Sequence, residues 1–369
     1  MAGLRVALLA NLKVNAPKFP GMPDDYWADL DSEGTVDAIA DALREGGHRV
    51  TFLEGNATLY DRVRELQPDI CFNICEGHFG DAREAQVPAM LEMLRIPYTG
   101  SKVLTLALTL DKPMTKRVLA YHDLPTPPFQ VFERPDEPLD PGLDFPLFAK
   151  PSSQGTGMGI SPRSVVRDEA ELRAQVATLM EDYREPILVE RFVSGRDITV
   201  GMVGNLAPPV AWRLPSDETA ARVTKGLRFL PALEIDLGPY RQQEGGLYTK
   251  RAKVELADKL NYICPARLEP DRLEELNRLA AATFRVTGTL DVARVDFRLD
   301  ENDDEKPYIL EINPLPGLSP GISDLVIEAE AAGIGHTELV NLILEQALER
   351  YRPPVGDFRP ALRAVADQQ

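Results

Sequence analysis

Residues 292–317 read VARVDFRLDENDDEKPYILEINPLPG, and this stretch decides the fold. Two runs, VARVDFRL and PYILEIN, flank the acidic residues 300–306, which have the composition of a turn. Apolar and polar residues alternate in both runs with a period of two, which is typical of β-strands. The stretch is therefore predicted to be a β-hairpin, with Tyr308, Leu310 and Ile312 on the apolar face of its second strand.

The other face of the predicted hairpin is polar. Folding the chain back about the acidic turn places Asp296 opposite Glu311, and Arg294 opposite Asn313. Mg²⁺ takes oxygen ligands and is commonly held by one or two carboxylates with substrate phosphates, so Asp296, Glu311 and Asn313 are candidate metal ligands. Arg294 is then left to stabilise developing negative charge. The alternative is a surface hairpin, but solubility does not require the rigid Pro-Leu-Pro-Gly turn that follows it.

Composition bounds the class of protein. The 369 residues suggest two or three domains, and three are expected. A net charge of −17 disfavours nucleic acid and anionic membranes as partners. The three cysteines have neither an even count nor metal-ligand spacing, and no apolar run reaches the ~20 residues of a membrane span. A reduced, cytoplasmic protein without a signal peptide is expected.

The first hundred residues alternate between strand and helix patterns, which predicts a small doubly wound parallel sheet. Strands are predicted at 4–10, 48–53, 69–75 and 96–99. Ligands bind beyond the carboxyl ends of such strands, where the loop 76–84 contains His78. A loop histidine by itself is more often a polar surface group. Residues 11–33 are rich in Pro, Gly and Asp, and suggest a lid or a substrate contact.

The central third contains lysines and a glycine-rich loop. One helix is predicted to include LALTLDKPMTKRVL, in which Lys112 precedes Pro113. A strand ending at Lys150 leads into a loop with several glycines, whose N–H groups can surround phosphate oxygens. A flexible hairpin is the alternative, because the loop matches neither a Walker loop nor a dinucleotide fingerprint. Further on, Glu190 and Asp197 stand on either side of a Ser-Gly turn.

The segment 204–263 is rich in Pro, Gly and charge. Strands are predicted around Trp212 and over 229–235. The segment ends in the basic cluster of Lys250, Arg251 and Lys253. Such a cluster is usually solvated surface, but in so acidic a chain it suggests a contact with phosphate or carboxylate.

Together these motifs resemble the ATP-grasp superfamily, and within it the D-alanine:D-alanine ligases. The resemblance runs from about residue 6 to about residue 350. It rests on YTGS (98–101), LDK (110–112), AKPS (149–152), VERFVSGRD (189–197), CPA (264–266), RVD (294–296) and LEINPLPG (310–317).

The resemblance implies a three-domain ATP-grasp fold of the α/β and α+β classes. Its parts are a doubly wound N-terminal domain at 1–105, a central lid subdomain at 106–197, a C-terminal subdomain with the hairpin at 198–352, and a tail at 353–369, which is expected to be loosely held.

The resemblance also implies the cofactors, ATP and Mg²⁺ (or Mn²⁺), and the residues that contact them. The residues implied for the nucleotide are Lys112, Lys150, Ser152, Gly155, Gly157, Glu190, Val193 and Asp197. The lysines would hold phosphates, Glu190 and Val193 would read adenine, and Asp197 would bind ribose. The implied metal ligands are Asp296, Glu311 and Asn313.

Five residues are implied for catalysis and for the amino-acid substrates: Arg294, Gly317, Lys253, Thr156 and His78. Arg294 and the N–H of Gly317 match donors that stabilise the tetrahedral intermediate. His78 matches a histidine beside the first amino acid, and Lys253 lies near a lysine that contacts phosphate and the second substrate's carboxylate.

Three amino-acid positions depart from the family pattern. Thr156 replaces a loop serine, and Val254 replaces a tyrosine. Leu30 stands at the glutamate that binds the first substrate. The family's serine after Pro-Gly falls near Ser319 or Ser323. The sequence leaves open which acid takes the place of the missing glutamate: Asp29, Asp31 or Glu33.

The function implied is that of an ATP-dependent ligase that joins two amino acids through an acyl phosphate and releases ADP and phosphate. Its expected partners are amino-acid substrates, and a homodimer is a candidate assembly. One alternative is a ligase of a natural-product or dipeptide pathway with substrates other than D-alanine. A more remote alternative is a non-catalytic ATP-binding regulatory protein, which would not need Arg294.

Overall fold

The structure is a computed structural model that describes residues 3–206, 224–254, 256 and 259–351. The strand predicted around Trp212, the side chain of Val254 and the tail at 353–369 lie outside this part. The described residues contain three β-sheets, each packed against helices, so the mixed α/β and α+β class is confirmed. No helix in these ranges is long and apolar enough to cross a membrane.

The N-terminal sheet is parallel, with strands β1 (Arg5–Ala10), β2 (Arg49–Glu54) and β3 (Ile70–Asn73) in the order β2-β1-β3. Alternate residues of β1 enter two different cores, because side chains on a strand point to opposite faces. One core contains α1 (Glu33–Glu45), and the other contains α2 (Leu59–Leu66) and α3 (Gln86–Leu94). The predicted doubly wound arrangement is confirmed.

The strand predicted at 96–99 is wrong. Only a single parallel bridge forms there, between Cys71 and Tyr98. Arg95 ends α3 in a left-handed conformation, and Gly100 also has a positive φ of 84°. The backbone therefore turns on both sides of a segment too short for a ladder.

The single helix predicted across 106–119 is also wrong. The chain forms α4 (Val103–Leu110) and α5 (Lys112–Tyr121), which are separated by Asp111 in an extended conformation. The Asp111 side chain accepts a hydrogen bond from the N–H of Met114 and so caps α5. Pro113 favours the first turn of a helix, because it has no N–H to leave unsatisfied.

The second sheet is antiparallel and packs on α6 (Glu169–Tyr183). Its strands are β4 (Phe129–Phe132), β5 (Leu147–Pro151), β6 (Val165–Val166) and β7 (Ile187–Arg191), in the order β4-β7-β5-β6. The glycine-rich loop leaves β5 just after Lys150. The sequence also predicts that this loop re-enters a strand at Ile160; this prediction is wrong, because no strand forms there.

The third sheet is also antiparallel and contains the hairpin. Its strands are β8 (Gly195–Gly204), β9 (Leu227–Phe229), β10 (Leu233–Asp236), β11 (Asn261–Ile263), β12 (Val292–Asp300) and β13 (Lys306–Asn313). They follow the order β11-β10-β8-β12-β13, and β9 pairs with β8. The domain boundaries at 105, 197 and 352 stay predictions, and the one at 197 falls inside β8.

Four helices complete the described chain: α7 (Lys250–Val254), α8 (Pro270–Val286), α9 (Asp324–Ala331) and α10 (His336–Tyr351). Residues of α8 share a core with β8, β12 and β13. Residues of α9 and α10 instead share a core with α1 and β1. The end of the described chain therefore packs on its beginning, whereas the buried residues of the hairpin pack mainly in the core with α8.

The hairpin has the predicted pairing at its polar end. Arg294 pairs with Asn313, and Asp296 pairs with Glu311. The next pair is Phe297 with Ile309, so Leu310 is an extra residue that forms a β-bulge. The apolar face predicted for the second strand is therefore right at Ile312 but wrong at Tyr308 and Leu310, because the bulge exchanges the two faces beyond it. Ile309 and Ile312 are buried in the core, whereas Tyr308 and Leu310 are not.

Candidate active site

Two cavities meet at the polar end of the hairpin. The first cavity lies between the second and third sheets. Its apolar side chains include Phe148, Phe192, Val193, Ile235 and Leu247. The second cavity, of about 500 Å³, lies between the hairpin and the N-terminal sheet. Lys112, Lys253, Arg294, Glu311, Asp324 and Gly155 line both.

A buried carboxylate holds two lysines together at the floor of the first cavity. The Glu190 carboxylate lies 2.6 Å from Lys116 Nζ and 2.9 Å from Lys150 Nζ. Burial alone would raise the pKa of Glu190, but the two lysines hold it below its usual range. Burial lowers the pKa of Lys116 to about 8, against the opposing charge of Glu190. These charges position Lys150 at the start of the glycine-rich loop.

Lys116 is a site residue that sequence reasoning missed. It follows Lys112 by four residues in α5, so the two side chains lie on the same face of the helix. That spacing was the signal available. Lys112 itself donates to the carbonyl oxygen of Gln154 at 2.6 Å and lies 3.5 Å from a Glu311 oxygen.

Asp197 and Val193 complete the first cavity where the resemblance places adenine and ribose. The Asp197 carboxylate lies 3.1 Å from an Arg298 nitrogen. Burial raises the pKa of Asp197, and Arg298 opposes that effect. Val193 is buried in the wall. An apolar slot with one acid at its side suits a flat base attached to a sugar.

Hairpin side chains form a network of opposite charges. Arg294 donates two hydrogen bonds to the Asp296 carboxylate, at 2.8 and 2.9 Å, and lies 3.1 Å from Asp324. The Asn313 amide donates to the same Asp296 carboxylate at 3.1 Å. Asp296 is therefore in direct contact with Arg294 and Asn313, and Glu311 is its cross-strand neighbour.

Glu311 lies among cations. Burial alone would raise its pKa, but the charges of Lys112, Lys150, Lys253 and Arg294 lower it to about 2. In the described residues no group of three or more His, Cys, Asp and Glu is placed to hold a metal ion. Two carboxylates and an amide fit Mg²⁺ when phosphate oxygens complete the ligand set. The lysines around Glu311 suit those phosphates.

Residues of the N-terminal region form hydrogen bonds that hold the glycine-rich loop in place. The Gly159 N–H donates to Asp25 at 3.1 Å, and Arg83 donates to the Ser153 carbonyl oxygen at 2.9 Å. Gly157 and Gly159 have positive φ angles, and so does Thr156, at 51°. A β-branched residue rarely adopts this conformation, so the backbone at Thr156 is strained. Thr156 lines the second cavity.

The N–H of Gly317 is a free donor at the second cavity, since no described residue accepts a hydrogen bond from it. A Cβ atom here would lie 2.7 Å from Ser323 Oγ, so that hydroxyl group would have to move. Lys253 also lines this cavity, and its Nζ lies 4.7 Å from the centre of the Tyr248 ring. Gly317, Lys253, Thr156 and Arg294 therefore line one cavity, and their catalytic roles stay predictions.

Four carboxyl groups form a wall on the N-terminal side of the second cavity: Asp29, Asp31, Glu76 and Glu84. We call this set the acidic wall. Asp29 and Asp31 were candidates for the missing glutamate. Glu33, the third candidate, is exposed and does not line the cavity, and Leu30 does line it. Glu76 and Glu84 were missed, because a loop acid gives no signal until tertiary contacts bury it.

Two predicted site residues lie elsewhere. His78 and Ser152 line a third cavity, which touches the acidic wall at Asp29. His78 packs edge-on against Trp27, with ring centres 5.4 Å apart, and burial lowers its pKa. Neither His78 Nε2 nor Ser152 Oγ has a hydrogen-bond partner among the described residues. Their predicted roles stay predictions.

Comparisons with known proteins agree on one family. The family model described as "D-ala D-ala ligase C-terminus" matches residues 118–215 and 233–345. An uncharacterized protein, y4sG, of Sinorhizobium fredii is 34% identical over 324 residues, covering 86% of this chain and 88% of the relative. A D-alanine--D-alanine ligase of Pelotomaculum thermopropionicum is 31% identical over 325 residues, covering 85% of this chain and 91% of the relative.

A solved structure has the same fold. The D-alanine--D-alanine ligase of Bacillus anthracis, complexed with ATP, superposes with a TM-score of 0.68 at 21% identity, covering 94% of this chain and 98% of that one. This likeness confirms the predicted ATP-grasp fold. The family model and the relatives confirm the resemblance that the motifs predicted.

Proposed function

This chain belongs to the D-alanine–D-alanine ligase family, and on that premise we propose that it joins the carboxyl group of one amino acid to the amino group of another. The carboxylate attacks the terminal phosphate of ATP to give an acyl phosphate and ADP, and the second amine then displaces phosphate. The observation that carries the proposal is the hairpin register, which sets Asp296 beside Glu311 where the two cavities meet.

The first cavity would take the nucleotide. Its apolar walls suit adenine, Asp197 suits ribose, and Lys112 and Lys150 lie where the phosphates would enter. Asp296, Glu311 and Asn313 would hold Mg²⁺ or Mn²⁺. A bound metal ion supplies positive charge that offsets the charge on the phosphates.

The second cavity would take the amino acids. Its free Gly317 N–H and the Arg294 guanidinium are the donors available for a tetrahedral oxyanion. Lys253 lies on the border of both cavities and can contact phosphate or a substrate carboxylate. Thr156 closes the cavity from the glycine-rich loop. An ATP-binding protein without turnover would not need Arg294 clamped to a metal ligand.

The reaction products test this proposal. We expect ADP and phosphate when the protein is given ATP, Mg²⁺ and amino acids, which are screened singly and in pairs as D and L forms. AMP and pyrophosphate would contradict an acyl phosphate. For substitutions in the hairpin, Asp303→Asn is the control variant and should retain full turnover, because Asp303 is exposed in the turn of the same hairpin.

A ligase with substrates other than D-alanine is the candidate favoured by the acidic wall and by Leu30. Losing one buried hydrogen-bond partner costs ~1–3 kcal/mol, or roughly tenfold to a hundredfold in affinity. We therefore expect a kcat/KM for D-alanine as sole amino acid below ~10⁴ M⁻¹s⁻¹, the lower end of the usual enzyme range. Steady-state kinetics would reject this expectation if the value were higher.

A further inference from the structure

The backbone of the loop 76–84 brings two acids of the acidic wall together. Glu76 lies just beyond β3, and Glu84 lies at the far side of the same loop. Gly77 has a φ of 73°, and a Cβ atom there would lie 2.6 Å from the Arg83 carbonyl oxygen. The Gly77 N–H donates to the buried Asn11 at 2.9 Å. This close approach holds Glu76 against Glu84.

Among the described residues, two carboxyl groups of the wall are not fully compensated by ion pairs and hydrogen bonds. Glu84 is 9% exposed; its carboxyl group forms a hydrogen bond with the Glu76 carboxyl, and Arg83 and Lys112 act on it through their charge. Asp29 Oδ2 lies 3.1 Å from Arg83, but the buried Asp29 Oδ1 has no partner among the described residues. Burial raises the pKa of both Glu84 and Asp31 to about 7. Buried carboxylates are costly unless a cation or hydrogen bonds compensate them.

The cations nearby are engaged or distant. Arg83 contacts Asp29 and the Ser153 carbonyl oxygen, and Lys112 contacts Gln154 and Glu311. Lys13 is an exposed residue at the rim. In the described ranges no group of three or more His, Cys, Asp and Glu is placed to hold a metal ion, and the lysines that suit the phosphates of a metal–nucleotide complex surround Glu311. The positive charge that would compensate the carboxyl groups of the acidic wall is therefore that of an organic cation.

We propose that the amino acid bound against the acidic wall carries a second amino group, so that the substrate class is the diamino acids. This inference rests on the ligase function proposed for the same cavity. The α-ammonium group of the bound amino acid lies next to the amino acid's own carboxylate. One acid of the wall is therefore enough to balance its charge. The remaining carboxyl groups then hold the distal ammonium, at the end of the cavity opposite Arg294 and Lys253.

Isosteric substrates test the charge alone. Ornithine and norleucine have side chains of equal length, which end in an ammonium group and a methyl group. Each is assayed in both enantiomers for ADP release, together with the second amino acid that gives the highest turnover. We expect kcat/KM for ornithine to exceed that for norleucine at least tenfold. Equal values would overturn the inference and leave the ligase function standing.

Substitutions locate the effect. Glu84→Gln keeps the shape of the side chain and removes its charge, so kcat/KM for ornithine should fall at least tenfold while that for norleucine changes less than twofold. Glu33→Gln is the matched control, since Glu33 is exposed and outside the cavity. Equal losses for both substrates would contradict a role in recognising the distal ammonium. Thermal melting checks that each variant is folded.

A binding measurement separates this inference from the function on which it rests. If no amino acid releases ADP, the proposed ligase function fails. The melting temperature without ATP then decides the inference. A larger increase with ornithine than with norleucine, absent in Glu84→Gln, would support the cation site, and equal increases would overturn it.

Discussion

The two ends of the active-site region differ in how their carboxyl groups are compensated by positive charge. At the hairpin end, carboxylates already contact cations: the buried Glu190 contacts two lysines, and the half-buried Asp296 contacts Arg294. At the acidic wall, Glu76 and Glu84 face each other, and Arg83 forms an ion pair with Asp29. At the first end, carboxylates are paired with cations before any ligand binds. At the second end, a bound cation would supply charge that the wall lacks, so this end is suited to selecting a substrate.

The largest effect is expected at the hairpin. Asp296→Asn removes the charge of a proposed metal ligand and weakens the clamp on Arg294, and several kcal/mol of lost charge stabilisation correspond to roughly a thousandfold loss of turnover. ADP release measures the loss, and circular dichroism checks the fold. Asp303→Asn in the exposed turn should retain full turnover. Near-normal turnover in Asp296→Asn would mean that the hairpin is only structural.

A smaller effect is expected from Lys116. Lys116→Met removes one of the two cations that hold Glu190, whereas Lys150 remains in contact. A hydrogen bond to a charged group contributes roughly 1.5–3 kcal/mol, so the free energy of unfolding should fall by about 2 kcal/mol. Urea unfolding measures this value, and KM for ATP should rise because Lys150 is less well placed. The exposed Lys102→Met is the control. An unchanged KM would separate Lys116 from the nucleotide site.

The smallest effect is a pH dependence of stability at the acidic wall. Burial raises the pKa of Glu84 to about 7, with Arg83 and Lys112 opposing and Asp29 reinforcing the shift. The folded protein therefore takes up a proton below pH 7 that the unfolded chain takes up only near its ordinary pKa of about 4.3. The free energy of unfolding should rise as the pH falls from 7 to 5, by about 1 kcal/mol per pH unit for each such carboxyl.

Glu84→Gln provides the comparison for that measurement. The free energy of unfolding of the variant should lack this part of the pH dependence. The difference in free energy of unfolding between the variant and the wild type should therefore become smaller as the pH falls. Glu65→Gln, at an exposed position on α2, should follow the wild-type curve. Parallel curves for the wild type and Glu84→Gln would show that Glu84 titrates normally.

The hairpin pairing was predictable because it depends on local rules. Side chains in strands alternate with a period of two, and the acidic run marks the turn, so the partners of Arg294 and Asp296 follow from counting. The bulge at Leu310 was not predictable, because one extra residue leaves composition unchanged. The break at Asp111 had a signal in Asp-Lys-Pro, which is typical of a helix start.

By itself the sequence determined the family, the fold class and the polar end of the hairpin, because contiguous motifs with regular spacing specify them. Only the tertiary structure decided that Lys116 and Lys150 share Glu190, that His78 and Ser152 line a separate cavity, and that Glu76 meets Glu84. These contacts join loops and helices far apart in the chain. Whether a charged side chain is solvated or buried beside another is set by packing, which no local pattern records.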